Sequence, residues 1–377
     1  MIKTLKRIDK PLLIVTVVLF LFGSIMVFSA SNVTAYMSHA VSPYNYFIKQ
    51  FAFLVVGFIL FLFMIKIPTK GYYALSWLLL LGFGASLVVL LLMGQAKNQA
   101  ISWFDLGIVS IQPSEFIKVI AIVWLAGYYD NNKKKLNTYG KSLFPMIVCG
   151  IIAFLIFMQP DLGTTIIFTL IVGLVFLLVP IAKDIKFKTI IAAVGLVVFA
   201  GFILISTGKG ILLDRQKDRF NFSRPCDSLI TSGNQVCNCY IAINNGGLFG
   251  VGLGNSTQKY LYLPEPYTDF IYAIIVEELG VVVGILIILA YMFVIYRIMQ
   301  IGKRATTDRG ATMCYAVAFY IFLHIAINLL GIMGMMPMTG VPLPFMSYGG
   351  SFTICLIAAL SIVQRVNIDT KLYNEKR

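Results

Sequence analysis

Six ionisable side chains stand inside, or hard against, stretches that are otherwise almost wholly apolar: Glu115, Lys118, Asp161, Asp269, Glu277 and Glu278. A charged group within a membrane span costs at least roughly 2.5–3.5 kcal/mol on insertion scales, so such groups face a protein or water cavity. Glu115 and Lys118, in QPSEFIK, are three residues apart, which puts both on one helix face where they can pair. The pair is either an ion pair that holds helices together or a polar wall of a substrate cavity. Pro113 suits the first turn of that helix, with Ser114 and Glu115 favourable near its positive end. Asp161, in QPDLGTT, reads as a turn and helix-start residue. Asp269 follows two prolines in LPEPYTDF and opens an apolar stretch near a membrane surface, as either a helix cap or an acid–base carboxylate. With about 1.5 Å and 100° per residue, Glu277 lies roughly 12 Å further along and about 80° round from Asp269, whereas Glu278 is about 180° round. Glu277 is thus the better second carboxylate for a shared cavity.

The elements that must position these groups are membrane helices. Of 377 residues, 59% are hydrophobic and 12% charged. A hydrocarbon core about 30 Å thick needs roughly 20 apolar residues per crossing. Ten stretches qualify: 11–30, 47–66, 72–93, 113–129, 142–158, 162–181, 186–206, 270–297, 311–334 and 348–367. The net charge of +14 follows the same architecture. Lys3, Lys6, Arg7 and Lys10 precede the first span, and the other basic clusters fall in every second loop and in the tail. This places both termini in the cytoplasm and removes any need for a nucleic-acid partner. The first span reads as a retained signal anchor.

One outward segment, 207–266, breaks the pattern by its length and by Lys209, Arg215, Lys217, Arg219, Arg224 and Lys259. A long loop translocates despite such charge. It holds Cys226, Cys237 and Cys239, and an oxidising exterior permits one disulfide there, Cys226 with Cys237 or with Cys239. With only His39 and His324 in the chain, no complete zinc set is visible. Five glycines between Asn245 and Asn255 allow close backbone approach, and no GK[ST] ending suggests a nucleotide loop. In GMMPMTGVPLPFMSYGGS, Pro337, Pro342 and Pro344 interrupt any helix, and Ser347 to Ser351 offer small polar contacts.

Five strings, SIMVFSAS (24–31), WFDLGIVSIQPSEFIK (103–118), QPDLGTT (159–165), NNGGLFGVGLGNSTQKYLYLPEPYTDFIYAIIVEELG (244–280) and TGVPLPFMSYGGS (339–351), closely resemble the SEDS family of shape, elongation, division and sporulation proteins. The resemblance runs in family order over essentially the whole chain, and GLGNSTQK leans slightly toward the division members. It implies an all-α polytopic membrane protein: a single SEDS-type transmembrane domain over 1–377, with about ten transmembrane helices, cytoplasmic termini and one long extracellular loop between the seventh and eighth. It further implies a glycosyltransferase that polymerises lipid II, the undecaprenyl-pyrophosphate disaccharide-pentapeptide. The implied partners are a class B penicillin-binding protein and other division or elongation membrane proteins. By motif position the essential family aspartate falls on Asp269, and Glu115 and Lys118 take the places of cavity residues beside it. Two departures stand out. Gln99-Ala100-Ile101-Ser102-Trp103 lacks the family's basic residue, and Asn238 and Cys239 replace a Gln-Ser pair.

For that chemistry Asp269 is expected to act as general base on an acceptor hydroxyl. The leaving pyrophosphate requires positive charge, from Lys or Arg, a divalent ion, or both. Arg215, Lys217 and Arg219 are the available cations, interleaved with Asp214 and Asp218 that alternatively make the run a solvated one. A Mg²⁺ or Mn²⁺ bridging the phosphates fits, although no dedicated protein cage is visible. Ser347 and Glu277 complete the expected substrate contacts. The rival readings are a lipid II flippase and a non-catalytic scaffold for the penicillin-binding protein.

Overall fold

The computed structural model describes residues 2–37, 42–93, 102–105, 107, 109–192, 195, 225–227, 232–260 and 262–377. Its main helices are α1 (Lys10–Met37), α2 (Asn45–Met64), α3 (Thr69–Met93), α4 (Pro113–Asn131), α5 (Tyr139–Phe157) and α6 (Leu162–Leu178). They continue with α7 (183–192), α8 (Ser232–Gly246), α9 (Ile271–Arg304), α10 (Asp308–Ile332) and α11 (Gly350–Asn374). A two-stranded antiparallel ribbon, β1 (Phe104–Asp105) with β2 (Ser110–Ile111), precedes α4. Seven of these helices, α1, α2, α3, α5, α9, α10 and α11, are long and apolar enough to cross a bilayer. The chain is an all-α, multi-pass membrane protein. Of the expected span at 186–206, only 186–192 and Gly195 lie within the described residues.

Polarity sorts the helices radially. α4, which carries Glu115, Lys118 and Asp130, is buried along almost its whole length against α3, α6, α10 and α11. By contrast α2 turns Ile48, Phe51, Val55, Phe58, Ile59 and Phe63 outward. A charged span shielded by neighbouring helices avoids the cost of facing lipid. Local signals set the boundaries. Pro113 opens α4 after extended Gln112, Asp161 Oδ1 caps α6 by accepting from the Thr164 N–H at 3.0 Å, and Thr307 Oγ1 caps α10 from the Gly310 N–H at 3.1 Å.

The basic ends of the helices gather on one face with both chain ends. Arg7 Nε bonds Glu375 at 2.9 Å, Arg297 Nη2 bonds Asp9 at 2.8 Å, and the Asp9 N–H donates to Gln364 Oε1 at 2.8 Å. Arg309 reaches Asp130 at 2.9 Å and Lys133 pairs with Asp308.

At the opposite end, α9 breaks at Gly280, whose φ of 86° and ψ of 166° are not helical. The bonds lost to the break are exchanged with the glycine-rich loop. Val281 and Val282 N–H groups donate to Gly247 O and Leu248 O at 2.9 and 3.3 Å, while Glu277 O and Glu278 O accept from Val251 and Gly252 at 3.0 and 2.9 Å. All four orphaned groups are satisfied, as buried backbone requires. A Cβ at position 280 would sit 2.2 Å from Leu248 O. Gly280→Ala is therefore expected to lower the melting temperature in detergent sharply, the positive φ alone costing about 1–3 kcal/mol. A native melting curve for that variant would contradict the docking.

Candidate active site

The Glu115–Lys118 pair forms one turn into α4, and the rest of the bundle seals it. Lys118 Nζ donates to Glu115 Oε1 at 2.7 Å and meets His324 Nε2 of α10 at 3.1 Å. The ring of Tyr320 lies 5.7 Å from the same ammonium. An ammonium only donates, so His324 Nε2 must accept, leaving the proton on Nδ1. That nitrogen faces Pro342 O at 3.4 Å. Lys118 and His324 are fully buried, and Glu115 Oε2 has no hydrogen-bond partner among the described residues.

Pro342 belongs to the loop between α10 and α11, and α10 grips that loop twice. One turn beyond His324, Asn328 Nδ2 donates to Val341 O and to Asp269 O, each at 2.9 Å. A single side chain thus ties the aspartate's backbone to the loop that His324 also holds. Gly340 runs beside the aspartate, its α-carbon side within ordinary contact of Asp269 Oδ2, and its φ of 73° is the backbone conformation that favours glycine there. At Gly163, just inside α6, a Cβ would lie 3.0 Å from Thr339 O. The strings QPSEFIK, QPDLGTT, TGVPLP and TDF therefore converge on one wall. Gln112 Nε2 extends it by donating to Asp161 Oδ2 at 2.9 Å.

Asp269 is half-buried two residues before α9 begins. The helix begins at Ile271, and the cap position belongs to Phe270, which makes no side-chain cap bond. Ser347, buried, acts on its neighbour: Ser347 Oγ donates to Thr268 O at 2.6 Å and accepts from the Leu343 N–H at 2.8 Å. The Tyr348 N–H donates to Tyr267 O at 2.9 Å, and Tyr291 OH holds Pro344 O at 2.6 Å. The approach to Asp269 is a stiff double loop.

Glu277 stands elsewhere. Its carboxylate accepts from Ser256 Oγ, from the Thr257 N–H at 3.1 Å and Thr257 Oγ1 at 2.9 Å, and from the Gln258 N–H at 3.3 Å. Glu278 takes Lys259 Nζ at 2.8 Å and Ser29 Oγ at 2.6 Å. These two carboxylates latch segment 254–259 to α9. The helical projection from Asp269 to Glu277 does not apply, because 262–270 is turn rather than helix. Arg215, Lys217 and Arg219 lie outside the described residues. Of the two disulfides left open by sequence, the structure forms Cys226–Cys237, and Cys239 is a buried thiol on α8.

Sequence alone gives His324, Asn328 and Lys259 no role at the site. A histidine four residues before an asparagine inside a span carried the signal, since the membrane cost that selected Glu115 applies to both. Lys259 needed the fold, because its partner is nineteen residues away on α9.

The arrangement matches known proteins along its whole length. The family model for FtsW, RodA and SpoVE, described as cell cycle protein, matches residues 10–372. The probable peptidoglycan glycosyltransferase FtsW of Bacillus subtilis is 34% identical over 390 residues, covering 100% of this chain and 94% of that one. Stage V sporulation protein E of the same organism is 34% identical, covering 95% and 96%. Among solved structures, the rod shape determining protein RodA of Thermus thermophilus aligns at 22% identity with a TM-score of 0.67, over 96% of this chain and 97% of that one. A chain of a peptidoglycan synthase complex aligns at 21% identity with a TM-score of 0.75, over 96% and 98%. On the family model and the identity to its relatives, this chain belongs to the FtsW/RodA/SpoVE family.

Proposed function

We propose that this protein is a peptidoglycan glycosyltransferase that polymerises lipid II at the outer face of the cytoplasmic membrane, with both termini on the inner side and about ten crossings. The observation that carries it is the placement of Asp269. A half-buried carboxylate two residues before α9 shares a wall, through Asn328, His324 and the 339–347 loop, with the buried Glu115–Lys118 pair. In the reaction, the 4-hydroxyl oxygen of an acceptor GlcNAc forms a bond to C1 of the donor MurNAc. The bond from C1 to the lipid pyrophosphate breaks with its electron pair, and the hydroxyl proton passes to Asp269. Attack opposite the leaving group converts an α-linked donor to a β-linked product.

Glu115 and Lys118, sealed behind this wall, would act on the donor through His324 and the loop it holds. Ser347 and Glu277 act on substrate through the loops they hold, Thr268 in one case and 256–258 in the other. Arg215, Lys217 and Arg219 would neutralise the leaving phosphates. Among the described residues no three Asp, Glu, His or Cys side chains gather as a cage. A Mg²⁺ or Mn²⁺ would therefore take most of its ligands from the pyrophosphate and would supply charge compensation there. A single-pass class B penicillin-binding protein and further division proteins are the partners, in keeping with relatives named FtsW.

Detergent removes the leaflets that a flippase needs. Native protein with its penicillin-binding partner and lipid II in micelles is expected to make glycan polymer, and no polymer in any such preparation would sink the reading. Depletion in cells is expected to give filaments rather than rounded cells if the division branch is right.

A further inference from the structure

Away from this wall, three helices enclose an open groove of about 310 Å³, lined by Tyr73, Ala74 and Trp77 of α3, Trp124 and Tyr128 of α4, and Phe144 of α5. Its rings are in mutual contact: Trp77 to Trp124 at 5.3 Å, Trp77 to Phe144 at 6.4 Å and Tyr128 to Phe144 at 5.8 Å between centroids. Trp77 is 39% and Phe144 43% exposed, so the groove opens sideways from the bundle into the surrounding bilayer. Aromatic residues commonly belt a membrane interface as ridges. A concavity of this volume in a lipid-facing wall has to be filled.

What fills it is indicated by the charges that stand one helical turn from its lining rings. Lys70 lies in the first turn of α3, one turn before Tyr73 and two before Trp77 on the same face, and Lys141 lies one turn before Phe144 in α5. Both are exposed, and neither has an acidic partner among the described residues. Two further cations on this face are paired, Lys133 with Asp308 and Arg309 with Asp130, the latter lying 5.6 Å from the Tyr73 ring, whereas Lys66, Lys134 and Lys135 are exposed nearby and add to the positive potential. At about 1.5 Å of rise per residue, the rings sit roughly 5–10 Å deeper than the two lysines. That is the spacing between a phosphate headgroup and the first methylenes of its acyl chain.

We propose that this groove binds an anionic phospholipid, with an acyl chain along Trp77, Trp124 and Phe144 and the phosphate between Lys70 and Lys141. The charge-derived orientation puts the mouth at the cytoplasmic leaflet, where anionic lipid attracts juxtamembrane lysines. The site is independent of the glycosyltransferase reading.

The groove contains two of the chain's three tryptophans, which supplies the assay. Full-length Trp103→Phe protein in phosphatidylcholine vesicles is titrated with brominated phosphatidylglycerol or brominated phosphatidylcholine while tryptophan emission is read. Brominated phosphatidylglycerol is expected to quench at roughly tenfold lower mole fraction. Lys70→Gln with Lys141→Gln should erase that difference, and Lys70→Arg with Lys141→Arg should keep it, which separates loss of charge from loss of fold. Equal quenching by the two lipids, or a preference that survives the glutamine pair, overturns the proposal. So does the absence of quenching by either lipid, which would show a groove closed by protein.

Discussion

Lys118→Met is expected to remove polymer formation altogether and to destabilise the protein by about 3–5 kcal/mol, the usual cost of stranding one partner of a buried ion pair. Glu115 is nearly as buried as Lys118, its Oε1 depends on that ammonium, and its Oε2 has no other donor among the described residues. The loss also frees His324 Nε2, whose ring is fixed between Lys118 and Pro342 O. The combination Glu115→Gln with Lys118→Met discriminates the two effects. It removes the stranded charge, so thermal unfolding in detergent should return most of the way to native, while polymer formation stays absent. A double variant that regains both would reduce the pair to a structural tie.

The second large effect belongs to the latch on α9. Glu278→Ala leaves Lys259 buried with only the Gly254 carbonyl at 2.6 Å, and deprives Ser29 of both carboxylate contacts. The expected cost is again about 3–5 kcal/mol. Its location is the sharper test. Amide exchange should accelerate at Val251 and Gly252, which are bonded to the kink in α9, before it accelerates within α10. Replacing both partners, Glu278→Leu with Lys259→Met, should recover part of the stability, since no charge is then stranded. Uniform acceleration throughout the bundle would mean that the latch is not a separable unit.

The sequence carried whatever depended on local signals. Apolar length located seven of the ten expected spans as long apolar helices, Pro113 marked the opening of α4, and Asp161 caps α6 as its position in QPDLGTT suggested. Membrane cost selected Glu115 and Lys118, and their spacing of three residues is the pairing observed. What stayed hidden rests on partners remote in the chain. Gly280 reads as one glycine inside an apolar run, and its break is stabilised only because loop 247–252 supplies both donors and acceptors. Glu277 was projected along a continuous helix from Asp269, but the prolines that mark the loop also end it later than that projection needed, and the carboxylate goes to 256–258. α8 lies inside the segment read as an outer loop, because a polar, cysteine-bearing helix gives no membrane signal. The roles of His324 and Asn328 depend on carbonyls of a loop whose course no periodicity encodes.

The most direct test of the central claim is Asp269→Asn in micelles, with lipid II binding and polymer formation measured on the same preparation. Asparagine keeps the size of the side chain and the backbone carbonyl that Asn328 holds, and removes the proton acceptor. A general base contributes roughly 10²–10⁴ in rate. The expected result is native melting and native lipid II binding with polymer formation reduced at least a hundredfold. Polymerisation by Asp269→Asn within about tenfold of the native rate would contradict Asp269 as the base that takes the acceptor's proton.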